Sequence, residues 1–218
     1  MLTGCTQNEQ INACLATLGI THIDLLIASR AHADHITGMD AIIERCQPRA
    51  YIDPGIPHTT RTYERVLEAV KTHNITYYEA SEREITLGPM TFMVLPPATP
   101  LITRSMLNNN SAVVRMNYKN FSILFTGDIE KEREDHLVKE SPGELDVGVL
   151  RVPHHGSSSS STPAFLQAVA PDIAIISCGR DNQYGHPHQE ALTALHDLGI
   201  RIYRTDKNGT ILIRCYCQ

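Results

Sequence analysis

Hydrophobic positions along the chain follow two patterns, a helical spacing and short runs rich in β-branched residues. A spacing of i, i+3, i+4 and i+7 recurs in three segments, and each segment is predicted to form an amphipathic helix with one buried face. The apolar residues of these helices are Ile11, Cys14, Leu15 and Leu18; Met39, Ile42, Ile43 and Cys46; and Tyr63, Val66, Leu67 and Val70. Gly19 is placed to end the first helix.

Short apolar runs between the helical segments predict strands. These runs cover residues 24–29, 49–52, 75–79, 90–95, 111–118, 121–126, 146–152, 172–177, 200–204 and 210–216. Lys119-Asn120 separates one pair of strands and a turn with Asn208-Gly209 separates the last pair, so both pairs are predicted to be hairpins. Helices that alternate with strands and hairpins predict a mixed α/β fold.

The bulk composition is that of a globular protein. The chain has 218 residues, of which 42% are hydrophobic and 20% charged, enough to bury a core. We expect one domain over residues 1–218, with two tightly packed halves as the alternative. The apolar runs are far shorter than the roughly 20 residues that cross a bilayer, and the first residues lack the pattern of a secretory signal. No membrane span is expected, and the expected location is cytoplasmic, or extracytoplasmic if the chain is part of a larger membrane protein.

Histidine and aspartate residues collect in four loops that follow predicted strands. Their candidate functional residues are Arg30, His32, Asp34 and His35; Asp128; His154 and His155; and His186 with its neighbour His188. Imidazole and carboxylate groups suit zinc and similar cations. Each loop alone has an ordinary alternative, such as a solvated polar loop for residues 30–35 or a helix cap for Asp128. Four such loops together favour a metal site.

The remaining histidines lack such neighbours. We interpret them as surface or packing residues: His22, His58, His73, His136 and His196.

Six segments resemble motifs of the metallo-β-lactamase superfamily: AHADHITG, NNNS, LFTGD, VPHHGSS, YGHPH and YRTDKNGT. Within it the chain most resembles the hydrolase domain of the ComEC-type competence proteins, which act in DNA uptake, and it is also similar to bacterial phosphorylcholine esterases. The resemblance extends from about residue 20 to residue 213. It implies an α/β (α+β) fold, a four-layer αβ/βα metallo-β-lactamase sandwich that lacks part of the N-terminal hairpin.

The resemblance also implies a ligand set for Zn²⁺ or Mn²⁺, as one or two ions, with one favoured. The implied metal ligands are His32, Asp34, His35, Asp128, His154 or His155, and His186. Asp128 matches the carboxylate that bridges two metals in the family. Whichever of His154 and His155 is not a ligand is implied as a proton donor or phosphate contact.

Arg30 stands where the family motif H-x-H-x-D-H has its first histidine. A guanidinium stays protonated and offers no lone pair to a metal. The ion position served by His32 is therefore expected to be less occupied than the position served by Asp34 and His35. One hypothesis is that Arg30 holds a phosphate oxygen instead, and a weakened site is the alternative. Asn108–Asn110 lie where many relatives have another histidine ligand, although ComEC-type domains also use asparagine there.

The function implied by the resemblance is metal-dependent hydrolysis, as a phosphodiesterase or nuclease that uses a metal-activated hydroxide. Asp34 or Asp128 would orient the hydroxide, and His154 or His155 would protonate the leaving group. The expected substrate is a phosphodiester or another ester. DNA is included, although a net charge of −5 does not favour a long groove for nucleic acid.

Two other functions stay open, hydrolysis of a small ester or phosphodiester and a non-catalytic binding module. A homodimer through the N-terminal sheet edge is also expected, because the missing hairpin would leave that edge bare.

Overall fold

The computed structural model describes residues 8–215, with side chains from residue 12 onward. The chain divides into two compact units with a boundary between Ala80 and Ser81. We call them unit 1 and unit 2. The single domain predicted over residues 1–218 stays a prediction, as does the homodimer through the N-terminal edge, since residues 1–7 lie outside the described part. No helix within residues 8–215 has both the length and the apolar character needed to cross a membrane.

Unit 1 is a small parallel sheet with helices. Its elements are α1 (Asn8–Thr17), β1 (Leu25–Ile27), α2 (Ala33–Ile36), α3 (Met39–Cys46), β2 (Ala50–Asp53), α4 (Arg61–Thr72) and β3 (Thr76–Glu79). The strand order is β1-β2-β3, with Leu25 opposite Ala50 and Ala50 opposite Thr76. Because neighbouring strands run parallel, the loops after β1 and β2 begin at the same edge of the sheet.

The helical faces expected from the hydrophobic spacing form the core of unit 1. Ile36 of α2, Ile43 of α3 and Val66 of α4 are fully buried and pack with Tyr51 of β2. A second cluster joins Leu15 of α1 to α3. Burial of each such side chain contributes about 1.5–3 kcal/mol, so these contacts hold the helices on the sheet.

Asp53, the last residue of β2, is buried and anchors the loop that follows it. Its carboxylate accepts hydrogen bonds from the Gly55 backbone N–H at 2.7 Å, from the Tyr63 hydroxyl at 3.0 Å and from the Tyr77 hydroxyl at 2.8 Å. Burial, together with the charge of Asp53, raises the pKa of both tyrosines well above its ordinary value. A buried carboxylate needs such donors, so Asp53 ties the loop to α4 and β3.

Unit 2 contains a larger mixed sheet, and three of its helices pack against this sheet. Its elements are β4 (Arg83–Leu87), β5 (Met90–Leu95), α5 (Met106–Asn109), β6 (Val113–Tyr118), β7 (Phe121–Phe125), α6 (Lys131–Glu140), β8 (Val149–Arg151), α7 (Pro163–Val169), β9 (Ile173–Ile176), α8 (Gln189–Asp197), β10 (Arg201–Arg204) and α9 (Thr205–Asn208). The strand order is β10-β9-β8-β7-β6-β5-β4. Strands β4 to β7 pair antiparallel and β7 to β10 pair parallel.

The core of unit 2 lies between this sheet and helices α6, α7 and α8. Leu137, Phe165 and Leu195 come from the three helices and pack with Leu124 of β7 and Leu150 of β8, and all five are buried. Since β7, β8 and β9 run parallel, their following loops begin at one edge of the sheet. These loops carry the histidines and the aspartate that the sequence singles out.

The predicted elements are largely confirmed, with two differences at the ends of unit 2. The hairpin β6–β7 across Lys119-Asn120 is present, with Tyr118 opposite Phe121. The predicted hairpin after residue 200 is wrong, because β10 pairs in parallel with β9 and residues 205–208 form α9. Described residues 210–215 belong to no strand, and residues 216–218 lie outside the described part. Strand β4 was not predicted, because charged residues interrupt its short apolar pattern.

Glu134 on α6 is a fully buried carboxyl group in unit 2. It accepts hydrogen bonds from the backbone N–H groups of Ser161 at 2.6 Å and Thr162 at 2.8 Å. Burial raises the pKa of Glu134 to about 7, although these hydrogen bonds act in the opposite direction. The loop after the two histidines is therefore fastened to α6 by a group that titrates near neutrality.

We expect Glu134 to make the free energy of unfolding fall as pH rises from about 4.5 to about 7. In this window the folded protein keeps the Glu134 proton that the unfolded chain releases, so the unfolded state gains stability relative to the folded state as pH rises. The pKa difference corresponds to about 3 kcal/mol. His186 acts in the opposite direction over much of this range, because its pKa is lowered to about 4 in the folded protein. Urea unfolding of the wild type and Glu134→Gln at a series of pH values, with a chelator present, isolates the Glu134 contribution as the difference between the two slopes.

Compared with the wild type, Glu134→Gln should make the free energy of unfolding rise more steeply with pH over this range, while Glu140→Gln on the exposed end of the same helix should leave the slope unchanged. The substituted amide loses hydrogen bonding at every pH, so the comparison concerns the slope and not the absolute stability. The same slope in Glu134→Gln and in the wild type would contradict this explanation.

Candidate metal centre

The loop after β1 forms a charged cluster within unit 1. The Asp34 Oδ2 atom lies 3.0 Å from Arg30 Nη2 and 3.4 Å from His35 Nε2. Ser29 Oγ lies 3.0 Å from Nδ1 of His35 and contacts the other side of that ring. Asp34 and His35 are thus brought together, and the buried guanidinium of Arg30 shares the same carboxylate.

His32 immediately precedes α2 and contacts an imidazole from another loop. Its ring is edge-on to that of His58, with 5.9 Å between the centroids. Burial lowers the pKa of His32, and the positive charge of Arg30 acts in the same direction. His58 belongs to the loop that Asp53 anchors, and its Nδ1 lies 2.9 Å from Thr60 Oγ1.

His58 was interpreted from the sequence as a surface or packing residue. Its ring packs edge-on against His32 and against Tyr63, with 6.4 Å between the centroids of His58 and Tyr63. The contact with His32 reflects the topology, because β1 and β2 are parallel neighbours and their following loops begin at one edge.

Asp128 is a fully buried carboxylate of unit 2 and lies in the loop after β7, following Thr126 and Gly127. Its Oδ2 atom lies 3.5 Å from His155 Nε2 and 3.7 Å from His154 Nε2, and its Oδ1 lies 3.9 Å from Arg151 Nη1. Asp128 is not the cap of the next helix, because Glu130 occupies the position before α6. The alternative of an ordinary helix cap is therefore wrong.

The backbone of His154 and His155 has an uncommon conformation that serves this contact. Their φ angles are +48° and +56°, so two consecutive residues with large side chains are left-handed. Such a conformation costs roughly 1–2 kcal/mol per residue. It is held by the hydrogen bond from His154 N–H to Gly127 O at 3.2 Å and by that from Ser157 N–H to His154 O at 2.9 Å. Strain of this kind concentrates at functional sites.

The two histidines have different partners on their Nδ1 atoms. His155 Nδ1 lies 2.6 Å from the Ser177 carbonyl oxygen, which only accepts, and 3.4 Å from Arg151 Nη2, which only donates. The much shorter contact to the carbonyl favours the proton on Nδ1, so that Nε2 keeps its lone pair. A ring N–H bound to a backbone carbonyl is typical of metal-ligating histidine. His154 Nδ1 lies 3.3 Å from Ser159 Oγ and 3.5 Å from Glu130 Oε1 instead. The geometry favours His155 as the ligand of the pair.

His186 completes a group of three imidazoles in unit 2. Its ring centroid lies 5.6 Å from that of His154 and 6.1 Å from that of His155. Burial lowers the pKa of His186 to about 4, and the neighbouring histidines act in the same direction. The side chain of Asn182 fixes its backbone, with its Oδ1 accepting from His186 N–H at 3.0 Å.

His188 has a structural role. Its Nδ1 accepts from the Ser158 backbone N–H at 3.0 Å, which places the proton on Nε2, and Nε2 lies 3.0 Å from the Tyr184 carbonyl oxygen. Both ring nitrogens are thereby engaged by backbone groups. His188 connects the loop after β8 to the loop after β9 and is not available as a ligand.

The three consecutive asparagines, Asn108, Asn109 and Asn110, have different hydrogen-bond partners. Asn110 is buried and binds the backbone of Ile102, and Asn109 accepts from the Glu130 N–H at 2.9 Å. The Asn108 amide donates to Glu130 Oε1 at 2.8 Å. Asn109 and Asn110 therefore shape the loop, whereas Asn108 acts on the carboxylate that faces His154.

Each unit thus pairs one carboxylate of the predicted set with one imidazole, Asp34 with His35 in unit 1 and Asp128 with His155 in unit 2. Nitrogen and oxygen donors of this kind are the usual protein ligands of Zn²⁺. The chemistry of the donors fits a divalent cation, with Arg30 as the exception.

Comparison with known proteins identifies relatives over most of the chain. The sequence profile of the metallo-beta-lactamase superfamily matches residues 3–180. The chain is 34% identical over 201 residues to ComE operon protein 3 of Bacillus subtilis, covering 92% of this chain and 26% of that protein. It is 29% identical over 203 residues to competence protein ComA of Neisseria gonorrhoeae, covering 90% of this chain and 26% of that protein. The chain spans about a quarter of the length of these curated relatives.

A solved structure supports the fold. A candidate metal-dependent hydrolase from Parabacteroides distasonis matches with a TM-score of 0.54 at 15% identity, covering 85% of this chain and 77% of that chain. At this identity the likeness concerns the fold alone. With the profile match it confirms the predicted α+β metallo-β-lactamase fold, and the curated relatives confirm the resemblance to ComEC-type competence proteins.

Gly156, which follows the two histidines, cannot be replaced without a clash. A Cβ atom there would lie 2.6 Å from Pro187 Cβ, and its φ of +81° is itself unfavourable for other residues. We expect Gly156→Ala to lower the free energy of unfolding by at least about 2 kcal/mol, as measured by urea unfolding.

Gly143→Ala is the matched control, because a Cβ there meets nothing within 4 Å. It should change stability by no more than about 0.5 kcal/mol. Equal stability of the two variants would show that the contact between Gly156 and Pro187 is not tight.

Proposed function

Because the chain belongs to the metallo-β-lactamase superfamily, we propose that it is a metal-dependent hydrolase that cleaves phosphodiesters, DNA among them. The observation that carries the proposal is the group around Asp128, where a fully buried carboxylate has two imidazole Nε2 atoms within 3.7 Å. Burying a carboxylate is costly unless positive charge or hydrogen-bond donors offset it. A divalent cation would provide that offset, with His155 as one of its ligands.

The proposed ligands follow from the donors that each cluster presents. They are Asp34 and His35 in unit 1 and Asp128, His155 and His186 in unit 2, with His32 serving a weaker position. Zn²⁺ and Mn²⁺ both suit this mixture of nitrogen and oxygen. A bound cation would supply Lewis-acid chemistry, by lowering the pKa of water and offsetting charge that develops on a phosphoryl oxygen.

The chain's own residues would perform the remaining chemistry. His154 is proposed to donate a proton from Nε2 to the departing oxygen, while Glu130 faces its Nδ1 at 3.5 Å and orients the ring. Asn108 holds Glu130 in turn. Arg30 is proposed to bind a phosphoryl oxygen, since a guanidinium presents several donors.

The curated relatives support a role connected with competence, as the name of the Neisseria gonorrhoeae protein indicates. We therefore propose single-stranded DNA as the first substrate to test, beside a small aryl phosphodiester. Hydrolysis of the aryl compound without cleavage of DNA would favour the small-substrate enzyme instead.

Metal content and hydrolysis of bis(p-nitrophenyl) phosphate, measured on the same preparation, test the proposal. Wild-type protein reconstituted with Zn²⁺ or Mn²⁺ should hold about one equivalent of metal and turn over the substrate. Asp128→Asn should lower turnover by at least about 100-fold, because even the hydrogen-bond partners of metal ligands are worth 10–100-fold.

Asp172→Asn is the matched control, since Asp172 is exposed at the start of β9, and its activity should equal that of the wild type. Well under one equivalent of metal after reconstitution, together with no turnover, would favour the non-catalytic binding module. Unchanged turnover in Asp128→Asn would reject the mechanism.

Arg30→His tests why this chain departs from the family motif. The substitution replaces a buried cation by a nitrogen donor, so we expect the number of bound ions to rise from about one toward two. Elemental analysis after dialysis against metal gives the number directly. Arg61→His, at an exposed position at the start of α4, is the control. An unchanged metal content in Arg30→His would mean that Arg30 does not suppress a second ion.

A further inference from the structure

The motif RTDKNG begins at Arg204, the last residue of β10, and continues through α9. It lies outside the proposed ligand set, yet its side chains bind Cys178 in the loop after β9. The Thr205 hydroxyl oxygen accepts a hydrogen bond from the Cys178 backbone N–H at 2.9 Å. The same hydroxyl donates to the Cys178 carbonyl oxygen at 2.8 Å. One side chain therefore engages both backbone groups of Cys178.

Neighbouring side chains hold Thr205 in this position. The Asp206 carboxylate accepts two hydrogen bonds from the Arg204 guanidinium, at 3.0 Å and 2.6 Å. It also accepts from the Cys178 thiol at 3.2 Å. The side chains of Arg204 and Asp206 are largely buried. These contacts explain why the chain forms α9 here instead of turning back along β10.

The peptide group between Ser177 and Cys178 connects Thr205 to the proposed ligand His155. This group carries the Cys178 N–H on one side and the Ser177 carbonyl on the other. The N–H is bound by Thr205, and the carbonyl accepts from His155 Nδ1 at 2.6 Å. Because a peptide group is planar and rigid, fixing its N–H also fixes the direction of its carbonyl oxygen.

The two hydrogen bonds also reinforce each other electronically. Accepting from the N–H of a peptide group polarises it, so that its carbonyl becomes a stronger acceptor. The stronger acceptor keeps the His155 proton on Nδ1. The opposite nitrogen, Nε2, then keeps its lone pair on the side of Asp128, from which it is 3.5 Å distant.

We infer that Thr205 is a positioning residue for His155, acting through the peptide group of Ser177 and Cys178 to set the tautomer and orientation of that ring. The inference rests on the proposed function, in which His155 binds the metal. Its consequence is that a hydroxyl far along the sequence controls metal affinity without touching the metal.

The test compares Thr205→Val, which keeps the shape and removes the hydroxyl, with Thr205→Ser, which keeps the hydroxyl. Affinity for Zn²⁺ is measured by competition with a chromophoric chelator, and the Co²⁺ absorption spectrum reports ligand geometry. Thr205→Val should bind Zn²⁺ about tenfold more weakly, the lower end of the range for partners of metal ligands, with an altered Co²⁺ spectrum. Thr205→Ser should keep the Zn²⁺ affinity and the Co²⁺ spectrum of the wild type.

Thr193→Val on the exposed face of α8 is the control for losing a threonine hydroxyl, and it should bind as the wild type does. Urea unfolding in the presence of a chelator establishes that each variant is folded. Should Thr205→Val not fold, Asp206→Asn keeps the hydroxyl but weakens its support, and we expect a smaller loss of affinity in the same direction.

A measurement on the metal-free protein separates this inference from the proposed function. Spectra of ¹⁵N-histidine-labelled protein show which ring nitrogen of His155 carries the proton. Wild type and Thr205→Ser should have it on Nδ1, and Thr205→Val should show a mixture of tautomers. Identical spectra together with identical Zn²⁺ affinities would overturn the inference and leave the function standing. Altered spectra in a protein that binds no Zn²⁺ would reject the function and retain the positioning role.

Discussion

The buried carboxylate of Asp128 is the constraint on which the rest of unit 2 depends. It lies in the loop after β7, the strand at which the antiparallel half of the sheet meets the parallel half. The loop after β8 begins at the same edge of the sheet. A charge in such a place requires partners. The loop after β8 supplies such partners, although two consecutive histidines there adopt left-handed backbone conformations that are unfavourable in energy.

Unit 1 meets a comparable requirement differently. There the carboxylate of Asp34 is half exposed, and the buried group is the guanidinium of Arg30, which pairs with it at 3.0 Å. A cation supplied by the chain thus stands where the family motif was expected to have a histidine. Its fixed positive charge disfavours a metal cation bound on that side of Asp34.

Much of this arrangement could be predicted from the sequence, because hydrophobic spacing identifies strands and a polar residue directly after a strand lies at a sheet edge. This reasoning singled out Asp34, His35, Asp128 and the pair His154 and His155, and their role as metal ligands stays a prediction. Local pattern could not find what long-range contacts decide. The contact between His58 and His32 joins two different loops. The difference between His154 and His155 depends on Ser177 and Glu130, which are distant in sequence from both histidines.

The final hairpin was mispredicted for the same reason. An Asn-Gly pair between two apolar runs indicates a tight turn, but the side chains of Thr205 and Asp206 find partners on Cys178 that no local pattern contains. Where a hydroxyl and a carboxylate can bind a neighbouring strand end, that binding overrides the turn preference.

Packing of Gly156 against Pro187 has a consequence for how this protein could diversify. The contact, together with the hydrogen bond from His188 N–H to Gly156 O at 2.9 Å, holds the loop after β8 and the loop after β9 together. An insertion in either loop would displace both, so lineages that acquire new substrates are expected to vary elsewhere. The ring of Tyr184, which faces solvent and stacks on His186, can change identity without a change in loop length.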